Sequence, residues 1–147
     1  MNHNKHLNDL VAVARDGKDF YEYAATRVDD QELKSLFTRM AGIKGEVVQG
    51  LSSEIKATGD VPTQSGTIVG DMNKLYGSVR ALLGNKDYAY VAQLEESEDR
   101  LLKAFNIAIA DKDTTATALA VLNRLLLQVR QCHEQMRTRK LALKKAA

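Results

Sequence analysis

The amino-acid sequence predicts an all-α protein, an up-down bundle of four long helices with a shorter helix in a long crossover connection. Three observations carry that reading. The 147 residues include one proline and no tryptophan, whereas Ala, Leu, Lys, Glu and Arg, which lose little on entering a helix, are abundant. Apolar residues recur at intervals of three and four along five stretches, the period of a helix with one buried face. Asp, Thr and Gly stand at the junctions, where helices are capped and stopped. A chain of this length suffices for one domain with a single core, so residues 1–147 are read as one unit that needs neither disulfide nor metal for stability.

The first stretch runs from about Asn4 to Val28, with Leu7, Leu10, Val11, Ala14, Gly17, Tyr21, Ala24 and Val28 in a wide stripe that another helix must cover. Asp29 and Asp30 break it and cap a second helix, whose buried side is Leu33, Phe37, Met40, Val47, Leu51 and Ile55. So short a turn implies antiparallel neighbours. Thr58-Gly59 ends the second helix, because glycine takes the left-handed conformation of a helix C-terminus. Asp60 to Gly66 is the clearest loop. A shorter helix is predicted over Thr67 to Leu83, with Ile68, Met72, Leu75, Val79 and Leu82 inward. Gly84-Asn85 stops it and Asp87 is placed to cap the next helix, Tyr88 to Ala110. Asp111 to Thr114 turns the chain into a last helix, Thr115 to about Leu143, with Ala118, Leu122, Leu125, Val129, Cys132 and Met136 in line.

Composition excludes some functions. MNHNKHLNDL lacks the apolar segment of a signal peptide, and no apolar run approaches the roughly 20 residues that span a bilayer, so a cytoplasmic protein is expected. Cys132 is the single cysteine and lies on an apolar face, where it reads as a small buried hydrophobe. The net charge of +2 points to no particular partner. His3 and His6 fall at an N-terminus expected to fray. No Gly-rich phosphate loop, nucleophile elbow or Cys/His zinc spacing occurs, so an enzyme is not the favoured reading.

Four long helices with one crossover joining two helix hairpins is the topology of ferritin-like bundles. LNDLVAVARDGKDFYEYAA at Leu7 to Ala25, DDQELKSLFTRMA at Asp29 to Ala41 and LEESEDRLLKAF at Leu94 to Phe105 resemble a bacterial family of four-helix-bundle proteins of unknown function placed in the ferritin-like superfamily. The resemblance extends from Leu7 to about His133. It implies a ferritin-like fold and, for chemistry, a two-metal carboxylate site of iron or manganese. Such sites take a Glu from each of two helices and a Glu-x-x-His pair from each of the other two. Glu22 and either Glu95 or Glu98 could be the single glutamates, and Glu46-Val-Val-Gln49 and Arg130-Gln-Cys-His133 stand where the pairs should be, so one histidine and one glutamate are missing.

Direction tests each candidate. In the fourth stretch Val91, Leu94, Glu98, Leu101, Phe105 and Ala108 share one face at about 100° per residue, which puts the Glu98 carboxylate where an apolar side chain would be expected. Such a group must be protonated, paired with a cation or bound to a metal. Glu95 borders that face. Glu46 and Gln49 point roughly 140° to 160° from their own helix's stripe and Glu22 roughly 110° from its own. Lys44 lies within about 20° of Leu33 and Leu51, a cation on a core face. It either snorkels to the surface or pairs with Glu98 inside, standing where a relative would hold a metal. His133 points inward and has Glu98 as its candidate neighbour.

The candidate metal set is therefore Glu98, His133, Glu95, Glu22 and Glu46, a degenerate signature, and the candidate buried pair is Lys44 and Glu98. The reading that follows is a non-catalytic or interaction-type bundle, a homo-oligomer such as a dimer, with no resident cofactor. An iron or manganese protein, acting as an oxidase or in iron handling, is the alternative. After Glu134 the chain holds Arg137, Arg139, Lys140, Lys144 and Lys145 and no acid, which leaves basic-tail binding to nucleic acid or membrane as a third reading. Cations at a helix C-terminus are also what the macrodipole favours, so neither partner is expected.

Overall fold

A computed structural model describes residues 4–66 and 86–146. Among them the chain forms α1 (Lys5–Arg27), α2 (Gln31–Ala57), α3 (Lys86–Ala110) and α4 (Ala116–Ala146), and no strand. The shorter helix expected over Thr67 to Leu83 lies outside the described residues. None of the described helices is long and apolar enough to cross a membrane.

The boundaries follow local chemistry. The Asp30 carboxylate accepts from the Leu33 backbone N–H at 3.1 Å and starts α2. Gly59, at φ +84°, ends it. Thr115 Oγ1 accepts from the Ala118 N–H at 3.1 Å and starts α4. Two expectations are corrected. Asp87 does not cap α3 from outside but sits in its first turn, where a carboxylate still favours the positive end of the helix dipole. The N-terminus is not frayed at His6: Asn4 is buried and its Nδ2 donates to Thr58 Oγ1 (2.9 Å) and Asp60 Oδ2 (3.1 Å), while His6 Nδ1 lies 2.6 Å from Asp111 Oδ2.

Cross-links at the two ends fix the helix directions. Asn4, Thr58, Asp111 and Ala118 meet at one end, the lower, where α1 and α4 begin and α2 and α3 finish. At the upper end, the Lys86 ammonium is 3.3 Å from Asp29 and Arg139 is 3.4 Å from Glu32. α1 packs on α2 and α3, and α4 packs on the same two, so α1 and α4 are diagonal, as are α2 and α3. The α2 and α3 helices thus run in the same direction, and the chain between them joins opposite ends of the bundle.

The core is divided along its length. A lower cluster gathers Leu7, Leu10, Val11, Ala14, Val47, Leu51, Ile55, Leu101, Phe105, Leu122 and Val129; an upper cluster gathers Phe20, Tyr21, Ala24, Phe37, Met40, Tyr90, Leu94, Cys132 and Met136. In α1, α2 and α3 the buried residues that fall between the two are Asp16, Gly17, Lys44 and Glu98.

Candidate functional site

The groups in and directly above that middle layer are put there by helix period, one from each helix. Glu98 takes its place on α3 between Leu94 and Leu101, Lys44 on α2 between Met40 and Val47, Tyr21 on α1 between Gly17 and Ala24, and Cys132 on α4 between Val129 and Met136. Lys44 and Glu98 are each only 1% exposed. The Lys44 ammonium approaches Glu98 Oε1 to 2.6 Å across the diagonal of the bundle. The Tyr21 hydroxyl donates to the same oxygen at 2.9 Å. Lys44 Nζ also stands 5.6 Å from the centroid of the Tyr21 ring, whose electron-rich face attracts a cation.

Gly17 lies against the lysine stem. A Cβ on Gly17 would lie 3.6 Å from Ser97 Oγ and 3.8 Å from Cγ and Cδ of Lys44, so the methylene stem of Lys44 runs along bare backbone. The ammonium reaches Oε1 as a charge contact rather than along a hydrogen-bond direction, and among the described residues no donor makes a hydrogen bond to Glu98 Oε2. The pair is held by its Coulomb attraction, which a medium of low effective dielectric strengthens, and by the phenol. Neighbouring groups register the same field. Burial, then the Glu98 carboxylate, raises the Tyr21 phenol well above its ordinary value, so it is a fixed donor. Burial also pushes the Cys132 thiol up, although the Lys44 ammonium pulls it the other way. A buried protonated thiol is a poor nucleophile.

The other candidates are placed elsewhere. Glu22 is exposed on α1 and pairs with Lys18 at 2.6 Å. Glu46 and Gln49 face outward on α2, along an open groove bordered by Arg15, Ser53, Lys56 and Gln64. His133, with 18% of its side chain exposed, turns its Nε2 not toward Glu98 but between Glu95 Oε1 (4.0 Å) and Asp99 Oδ1 (3.9 Å), making no hydrogen bond to either. The expected His133–Glu98 contact is therefore absent: Glu98 faces the diagonal helix α2, while His133 faces the outer side of α3. Among the described residues no group of three or more His, Cys, Asp or Glu side chains could hold a metal ion.

Tyr21 is the participant that the sequence reading placed only as core. A tyrosine on a buried stripe must find a partner for its hydroxyl, and the only carboxylate on a core face was Glu98; that combination was the available signal. His6 and Asp111 carried no such signal, since their contact depends on how the helix ends meet.

Fold and site together define an all-helical bundle in which Glu98, the most deeply buried carboxylate among the described residues, is matched by a lysine and a tyrosine. The chain belongs to the family described as a domain of unknown function, DUF2383, whose model matches residues 2–111. That span takes in α1, α2 and α3 and stops before α4. No curated protein and no solved structure matches the chain.

Proposed function

We propose that this chain is a bacterial ferritin-like bundle of the cytoplasm that acts through its surface, as a homodimer, and does no chemistry in its interior. The observation that carries the reading is the 2.6 Å approach of Lys44 to Glu98, reinforced by the Tyr21 hydroxyl. A cation supplied by the protein stands beside Glu98, the most deeply buried carboxylate among the described residues. The ferritin-like assignment is supported by the direction of the helices, with α2 and α3 parallel on a diagonal and joined end to end across the bundle.

An iron or manganese site fits this donor set poorly. Hard divalent ions require several oxygen donors, with or without imidazole, whereas the layer offers one carboxylate, a phenol held neutral, a protonated thiol and an ammonium that repels a second cation. Glu22, Glu46 and His133 point elsewhere. The test is metal content per chain by mass spectrometry, on untagged protein purified without chelator and again after iron or manganese loading and desalting. The expected result is no retained metal in either sample. Near-stoichiometric metal that disappears in Glu98→Ala would overturn the reading and make an oxidase assay the next step.

A further inference from the structure

The last turns of α4 carry a one-sided distribution of charge that the interior does not use. Arg137, Lys140, Leu141, Lys144 and Lys145 fall within about 140° of the helix circumference. Arg139 and Leu143 lie on the opposite side, where Arg139 meets Glu32 and Leu143 packs against the upper core cluster. Arg137, Lys144 and Lys145 are exposed, Lys140 is half-buried, and Leu141, in the middle of the four cations, is 50% exposed. Among the described residues no carboxylate pairs with any of these four cations, and the sequence has no acid after Glu134.

The helix macrodipole accounts for part of this. Its effect falls off within the last turn, so it covers Lys144 and Lys145 but not Arg137 or Lys140, and it gives no reason for cations to gather on one side around a leucine. We infer that this arc of α4 is a docking surface for an anionic phospholipid membrane, the cations meeting the headgroup charge and Leu141 entering the acyl boundary. The inference rests on the reading of the protein as one that acts through its surface and names that surface. Charge complementarity alone would suit a nucleic-acid backbone equally well. A phosphodiester backbone, however, gains nothing from Leu141, and the arc holds no aromatic side chain on which a base could stack.

The experiment is flotation of the full chain with phosphatidylcholine vesicles, with and without phosphatidylserine, across a salt series, beside retention on duplex DNA. The chain should partition onto the phosphatidylserine vesicles only, and salt should release it. Lys140→Gln/Lys144→Gln/Lys145→Gln should lower partition about 100-fold, at about fivefold per cation, with helix content by circular dichroism unchanged. Leu141→Ala should weaken vesicle partition severalfold and leave DNA retention as it was. Equal partition of the triple variant and the parent overturns the inference. So does DNA retention stronger than vesicle binding together with indifference to Leu141→Ala. Retained interior metal would overturn the proposed function without altering partition, so the two failures are distinguishable.

Discussion

The two halves of the core are built from different side chains. Among the described residues the lower half is aliphatic, with Leu, Val and Ile from all four helices and Phe105 as its one aromatic. The upper half holds Phe20, Tyr21, Phe37 and Tyr90 together with Met40, Cys132 and Met136. The charge pair lies at the boundary, yet its supporting contacts come from the upper side: the Tyr21 hydroxyl and the Tyr21 ring. Aromatic faces and sulfur are polarisable, and a phenol is both apolar and a donor, so this half can receive a buried charge that methyl groups cannot. The contrast explains where in the bundle a lysine and a glutamate can be tolerated.

The sharpest way to break the comparison is to leave one charge in place without the other. Lys44→Met should destabilise by about 3 to 5 kcal/mol, because Glu98 then stays buried and uncompensated. The Lys44→Met/Glu98→Leu double variant should recover most of that in a denaturant melt; equal loss in both would show that the pair is not coupled. In the aliphatic half the cost should come from cavity formation alone. Leu51→Ala is expected to lose about 2 to 5 kcal/mol, with no dependence on the residue at 44. Removing only the phenolic hydroxyl, Tyr21→Phe, should lose about 1.5 to 3 kcal/mol, the range for a hydrogen bond to a charged group.

Titration supplies two finer tests. The Tyr21 phenol is raised in the folded state, so its stabilisation is whole below the unfolded value near 10 and is lost as pH climbs toward the folded one. Stability of the parent protein should therefore fall above about pH 10 more steeply than that of Tyr21→Phe. At the lower end, hydrogen bonds from Asn4 and then from the Val61 N–H hold the Asp60 carboxyl below its usual range. That contribution is present above the unfolded value of 3.8 and lost as pH falls below it, so Asn4→Ala should flatten the acid limb slightly.

Much of the fold was legible because helix periodicity is a strong signal. The inward stripes of α1, α2, α3 and α4 match the buried residues, and the Asp30 cap and the Gly59 stop are where their chemistry requires. Lys44 and Glu98 could be singled out for the same reason, since both interrupt an apolar face. The direction of His133 was not legible. Whether a half-buried residue on α4 meets Glu98 or the Glu95 and Asp99 side of α3 depends on how the two helices are rotated against each other, and periodicity within one helix does not contain that rotation. Tertiary closure was hidden too: the Asn4, Thr58 and Asp60 contacts and the His6–Asp111 contact join residues more than 50 positions apart and depend on helices ending at one level.

The diagonal placement of Lys44 and Glu98 bears on which way the bundle can fold. Leucine stripes are nearly self-similar, and sliding α3 by one turn, about 5.4 Å, would replace one set of methyl contacts with another at modest cost. The charge pair has no such degeneracy, because a one-turn slip leaves both ions buried apart in apolar surroundings. A single lysine on one helix and a single glutamate on its parallel, non-adjacent counterpart thereby act as a register peg, selecting one vertical alignment of the two hairpins from several that the apolar pattern alone would accept.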